Sequence, residues 1–274
     1  MPLGPSYIAL LLAGIAYIGH ATWRKEWLGW GGTTAMMFSW IWLTLLLWSR
    51  GWAAGHWPLS NRYEFTLCFL WATILAYLIL EFTWQERRSG VFALAIILLI
   101  ATFALRTPAD QRALSHLLPA LRSPWLQGHV LSTMVAYGAF ALGSGLGLLR
   151  LTQAILTRSR PQPEPDWLPP IAETDYMLER TIALGFPWLT LGILTGAIWA
   201  QQAWGRYWGW DPKETWAFIT WLWYLVLLHL RPLKRWRGTG FAILCILGFG
   251  FVLFTLIGVP WLVRNVRLPS LHGY

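Results

Sequence analysis

The stretch GFAILCILGFGFVLFTLIGVP, residues 240–260, carries no charged side chain in 21 positions. At a rise of about 1.5 Å per residue it makes a helix roughly 30 Å long, the thickness of the hydrocarbon core of a bilayer. Seven further apolar runs of 17 or more residues lie upstream of it, at 5–22, 31–49, 64–83, 90–106, 129–156, 181–203 and 213–231. The composition agrees, with 56% hydrophobic residues, 12% charged residues and a mean hydropathy of +0.47 over 274 residues. A soluble domain carries roughly a quarter charged residues. The first run lacks a basic leader and a small-residue cleavage site, so it reads as a spanning helix rather than a secretory signal. The expected fold is therefore all-α: a polytopic integral membrane protein with about eight transmembrane helices.

The net charge of +9 calls for a partner or an explanation. With the N-terminus outside, the inner segments hold Arg24, Lys25, Arg87, Arg88, Arg150, Arg158, Arg160, Arg180, Arg231, Lys234, Arg235 and Arg237, which is twelve of the 21 basic residues. This inward excess follows the positive-inside rule and requires no nucleic acid. The two cysteines, Cys68 and Cys245, both lie inside predicted spans, and no CxxC or CxxCH occurs. The chain thus has neither a dithiol motif nor an attachment site for a covalent haem of its own.

Two polar connections are long enough to carry structure. TPADQRALSHLLPALRSP, residues 107–124, has leucines at 114, 117, 118 and 121, a spacing that predicts an amphipathic helix on the outer surface. RSRPQPEPDWLPP, residues 158–170, holds five prolines and predicts an extended inner loop. Tryptophans 23, 27, 30, 52, 57, 84 and 125 fall at predicted helix ends, where membrane anchoring alone accounts for them.

A different concentration of aromatics precedes the seventh span. WGRYWGWDPKETW, residues 204–216, lies on the outer side in this topology. Asp211-Pro212-Lys213-Glu214 reads as a helix start, with an aspartate cap, proline at the first helical position and a glutamate completing a capping box. That accounts for Asp211 and Pro212 but not for Trp204, Trp208 and Trp210, packed with Gly205, Arg206, Tyr207 and Gly209. Flat aromatics interleaved with glycine suit a platform for a flat, conjugated ligand, with Arg206 and Lys213 available to its carboxylates.

Histidines supply the remaining clue. His229 stands 18 residues after Asp211, which is roughly 27 Å along a helix and so about one bilayer away, near the inner leaflet. It reads as a proton-relay member, a metal ligand or a packing histidine. His129 opens the span 129–156, and His272 lies in SLHGY after the last span, both on the outer side. Two imidazoles on opposite faces of a flat ligand are the bis-histidine arrangement for haem iron. His20 lies near the inner end of the first span, at about the depth of His229. His56 and His116 have no supporting neighbours.

The segment GFPWLTLGILTGAIWAQQAWGRYWGWDPKETWAFITWLWYLVLLHLR, residues 185–231, resembles the tryptophan-rich WWD segment of CcsA/ResC-type cytochrome c assembly proteins. The resemblance extends to WLQGHV, PLSNRYEF and LHGY, and covers about 58–83 and 124–274. It implies one transmembrane cytochrome c assembly domain over 1–274, with the WWD loop at about 201–216. It also implies a CcsB (Ccs1/ResB)-type membrane partner, outward transport of haem b held non-covalently, and attachment of that haem to the CxxCH thiols of apocytochrome c. By position, His129 and His272 match the outer haem-iron ligands, His229 matches an inner haem ligand, and Trp204, Trp208, Trp210, Asp211 and Arg206 line the loop. The ligand opposite His229 stays open between a partner histidine and His20. Two other readings compete: a CcmC-like haem-delivery protein without synthase activity, and a proton-coupled small-solute transporter. The DPKETW string favours the first family over CcmC. A transporter needs mid-span carboxylates, whereas Glu64 and Glu81 sit near span ends.

Overall fold

The computed structural model describes residues 1–114, 121–158, 165–231, 233, 236, 238–267 and 270. Each apolar run coincides with a helix: α1 (Gly4–Trp23), α2 (Glu26–Ala54), α3 (Arg62–Trp84), α4 (Gly90–Leu105), α5 (Pro124–Arg158), α6 (Ile171–Trp204), α7 (Pro212–Leu230), and α8 (Thr239–Leu253) continued by α9 (Val259–Val266). The described residues contain no strand. Six of these segments are long and apolar enough to cross a membrane. The other two, α4 with 16 residues and the tryptophan-rich α7 with 19, fall outside that set, so length and composition do not confirm the count of eight.

Tight reversals set the antiparallel order. Arg24 takes a left-handed conformation (φ 55°) and donates its N–H to the His20 carbonyl, ending α1 one residue before α2 is capped. Gln85 (φ 54°) ends α3 in the same way, and Gly205 (φ 75°) ends α6. Pro260 has no N–H to donate to the preceding turn, which accounts for the π turn at Phe254–Gly258 between α8 and α9.

The central helix is α5, which packs on α3, α4, α6 and α8. Small residues let α5 and α6 approach closely: a Cβ at Gly192 would lie 2.5 Å from Thr133, and one at Gly185 2.7 Å from Phe140. In lipid, where no water drives helices together, such close packing is the main source of association. Polar bonds extend both helices past the membrane run. Arg150 pairs with Asp175 at 2.8 Å, and Gln153 donates to the Pro169 carbonyl at 2.7 Å.

Neither long connection takes the expected form where it is described. No α-helix starts at Thr107: Arg112 folds back and donates to the carbonyls of Leu105 and Thr107, next to a 3₁₀ turn at Asp110–Arg112. Leu117 and Leu118 of the expected amphipathic helix lie outside the described residues. The end of the proline-rich loop is docked rather than extended. Leu168 is buried, Arg88 donates to its carbonyl at 3.0 Å, and Arg24 pairs with Asp166 at 2.7 Å.

Candidate functional site

The site begins where α5 enters the bundle. His129 lies one turn into α5, half-buried, with Nδ1 2.7 Å from the carbonyl oxygen of Gly192 on α6. A carbonyl only accepts, so Nδ1 carries a proton and Nε2 is the ring nitrogen that a metal would take. A carbonyl behind a histidine is the arrangement that fixes ring and tautomer for ligation. The fit depends on glycine, because a Cβ at Gly196 would sit 2.6 Å from the His129 Nδ1. Gly192 and Gly196 form a G-x-x-x-G step, and Trp199 follows on the same face of α6. Its indole lies nearly parallel to the imidazole, 17° between planes and 6.2 Å between centroids.

Trp199 leads into the tryptophan loop. It meets Trp204 edge-on at 4.9 Å, while Ser123 before α5 donates to Gln202 at 2.7 Å and ties the two helix ends together. Beyond Gly205 the chain runs irregularly to α7. Trp208 and Trp210 stand perpendicular to each other at 5.8 Å, and both pack edge-on against Phe218 of α7. Trp210 adopts a left-handed backbone (φ 56°) and is 67% exposed. An indole held there by a strained backbone, and not buried, is available to a ligand. The Arg206 guanidinium lies across Gly209, where a Cβ would come within 2.8 Å of Cζ, and it is itself exposed.

The capping box is present and extends beyond the helix. Asp211 accepts from the Lys213 N–H at 2.9 Å. Glu214 reaches back to the Asp211 N–H at 3.2 Å and to the Gly209 N–H at 2.8 Å, so one carboxylate fixes both the helix start and the loop before it. Asp211 is buried, and its second oxygen accepts from the Ser270 hydroxyl at 2.7 Å. This bond brings the chain beyond α9 to the loop. His272 lies outside the described residues.

His129, Trp204, Trp208, Trp210, Asp211 and Arg206 therefore gather at one end of α5, α6 and α7. His229 stands apart, near the far end of α7, exposed, with Nδ1 2.8 Å from the Leu225 carbonyl of its own helix. His20 is not beside it. Helix α1 packs on α2 and α4, whereas α7 packs on α6, α8 and α9. His20 is buried, with Nδ1 3.1 Å from the Lys25 carbonyl, and lines a cavity of ≈550 Å³ with Arg24, Glu86, Arg87, Arg88 and Asp166. Glu81 is buried and paired with Arg87 at 3.2 Å, and Glu64 with Arg50 at 2.8 Å. Neither carboxylate lies on α7 beside His229.

Sequence reasoning missed Trp199, the Gly192 carbonyl, the Glu214–Gly209 bond and Ser270. The G-x-x-x-G spacing of Gly192 and Gly196 was the available signal for the first two. The bond to Ser270 left no local signal.

A family model described as "Cytochrome C assembly protein" matches residues 59–266. A protein from Guillardia theta named cytochrome c biogenesis protein CcsA is 35% identical over 290 residues, covering 98% of this chain and 94% of its own length. Its namesake from Synechocystis is 34% identical over 322 residues, covering 98% and 95%. The namesake from Chlamydomonas reinhardtii is 39% identical over 236 residues, covering 85% of this chain, which spans only 65% of it. Among solved structures, "Cytochrome c Heme Lyase CcmF" superposes with a TM-score of 0.63 at 16% identity. It covers 98% of this chain, which spans about half (51%) of that one, and the likeness concerns the fold.

Proposed function

We propose, from the premise that this chain belongs to the Cytochrome C assembly protein family, that it carries haem b outward across the membrane and helps attach it to apocytochrome c. In this reading haem is cargo and substrate, held non-covalently by His129 and His272 on opposite faces of the iron. Trp204, Trp208 and Trp210 face the macrocycle, and Arg206 faces the propionates. The loop, His129 and His272 lie on the outer side of the bacterial plasma membrane or its thylakoid counterpart. His229 is an inner station, completed by a CcsB (Ccs1/ResB)-type partner in the bilayer.

The observation that carries the reading is the setting of His129. Its Nδ1 is engaged by the Gly192 carbonyl and its ring lies along Trp199, the indole that leads into the loop. An imidazole whose ring is oriented before its ligand arrives is what an axial haem ligand requires.

The chemistry asks little of this chain beyond geometry. Each thioether forms when a CxxCH thiol adds across a haem vinyl group. The S–H bond and the vinyl π bond break, a C–S and a C–H bond form, and no net oxidation or reduction occurs. Holding vinyl and thiol together contributes much of the rate, and this is the task of the axial histidines and the aromatic loop. The nucleophile belongs to the apocytochrome. Co-expression with a CcsB-type partner and an apocytochrome tests the proposal: covalent haem on the CxxCH substrate is expected. Haem uptake by a verified complex with no thioether product would instead favour the delivery reading.

A further inference from the structure

Three connections meet at the end of the bundle opposite the tryptophan loop: the α1–α2 turn, the α3–α4 turn and the residues leading into α6. They enclose the cavity of ≈550 Å³ lined by His20. Side chains of both signs line it, and one pair is spent on the fold. Arg88 donates to Glu86 from its backbone N–H at 2.7 Å and from Nε at 3.0 Å, and its Nη1 reaches the Leu168 carbonyl. The others keep bonding capacity. Arg87 gives Nε to Glu81 at 3.2 Å and only a long 3.5 Å bond to Glu26, while Arg24 gives Nη2 to Asp166 at 2.7 Å. Among the described residues, neither Arg87 Nη2 nor His20 Nε2 takes part in a hydrogen bond, although both residues are buried. Because His20 donates from Nδ1 to the Lys25 carbonyl, its Nε2 is an acceptor in the neutral ring. The cavity thus sets spare guanidinium donors beside spare acceptors on Glu26, Asp166 and His20.

This mixture of signs selects the ligand. A bare phosphate would face the Glu26 and Asp166 carboxylates, and a bare ammonium would face the guanidiniums. A ligand carrying both groups satisfies both. The setting identifies its source. The Arg87 guanidinium lies 3.9 Å over the Trp30 ring, and Trp30, Trp23 and Trp27 are all exposed. Exposed indoles at helix ends sit at the level of lipid headgroups, and basic pockets between membrane helices bind those headgroups. We propose that the cavity binds the headgroup of a phospholipid bearing a primary amine, with the phosphate on Arg24 and Arg87 and the ammonium on Glu26, Asp166 and His20. A primary ammonium brings N–H donors to these acceptors, whereas a trimethylated amine brings none. The site does not depend on which histidines hold haem.

The test places the purified full chain in nanodiscs of equal phosphatidylethanolamine, phosphatidylcholine and phosphatidylglycerol. Mass spectrometry then counts the lipid that stays bound after detergent extraction. Phosphatidylethanolamine is expected to be retained about tenfold over phosphatidylcholine, the worth of one hydrogen bond to a charged group. Glu26→Gln combined with Asp166→Asn keeps the shapes of two side chains that are each 74% exposed, so the fold should survive. In that variant the preference is expected to fall close to parity. Equal retention of the two lipids by the wild type overturns the site, and so does a preference unchanged in the double variant. Preferential retention of phosphatidylglycerol overturns the role of the ammonium and leaves a plain anion site. Soluble phosphoethanolamine is the last arm. If it displaces the bound lipid at equal concentration, the ligand is a free phosphoamine and the lipid assignment is overturned.

Discussion

The histidines of α5 and α7 are held in opposite ways. His129 is fixed by a neighbouring helix: the Gly192 carbonyl lies behind it, Gly196 makes room for it and Trp199 lies along it. His229 is satisfied by its own helix, through the Leu225 carbonyl, and faces away from the bundle. A ring oriented by a second helix is pre-organised relative to the fold. A ring oriented only by its own helix is pre-organised relative to a surface, and something else must meet that surface. On the proposed reading, the outer station is built largely within this chain, whereas the inner one becomes a site only against a partner.

The largest effect should come from the pre-organised side. His129→Ala removes a whole ligand and should cut covalent cytochrome formation on the order of 100-fold, at least the upper end of what second-shell changes cost. Product assays at matched membrane levels of the protein check this. Gly196→Val should act through the same ring, because the new side chain displaces His129 from the Gly192 carbonyl. Haem retention is expected to fall about tenfold while the protein still accumulates. If retention stays at the wild-type level, the carbonyl is not what orients the histidine.

Smaller effects separate the two ends further. Glu214→Ala withdraws the acceptor from two backbone N–H groups and should cost about 1–2 kcal/mol, read as a lower melting temperature. His229→Ala should change the stability of the chain by no more than about 0.5 kcal/mol, since the ring is exposed and bonded only locally. Its effect should appear in haem supply to the complex instead. The smallest effect belongs to the end of the bundle where α1 meets the proline-rich loop. There the hydrogen bond and charge of Arg24 hold the Asp166 carboxyl below the usual carboxylate range. A depressed folded-state value stabilises above the ordinary carboxylate pKa, and that contribution is lost as pH falls through the lowered value. Because both side chains are well exposed, Arg24→Ala at pH 7 should lower the melting temperature only marginally, and high salt should shrink that difference further.

The sequence was legible where the physics is local. The run 240–260 declares a membrane helix because lipid leaves the backbone no alternative, and Asp211-Pro212-Lys213-Glu214 declares a helix start because capping involves only neighbours. It was not legible where one distant group decides the outcome. Thr107-Pro108 reads from sequence as a helix start, but Arg112 reaches back to the carbonyls of Leu105 and Thr107 and no helix begins there; the leucine run itself falls largely outside the described residues. Trp199 meets His129 only because α5 and α6 pack together, and Ser270 meets Asp211 across 59 residues. His229 was placed correctly at the far end of α7, but its outward exposure depends on how α7 rotates against α6 and α8, which spacing alone leaves open.

The most direct test is the visible spectrum of haem in the purified complex with the CcsB-type partner, compared across His129→Ala, His272→Ala and His229→Ala. The account predicts that either outer substitution removes one six-coordinate haem signal, and that His229→Ala leaves that signal in place once haem is supplied from outside. A six-coordinate outer haem that survives both outer substitutions would contradict it.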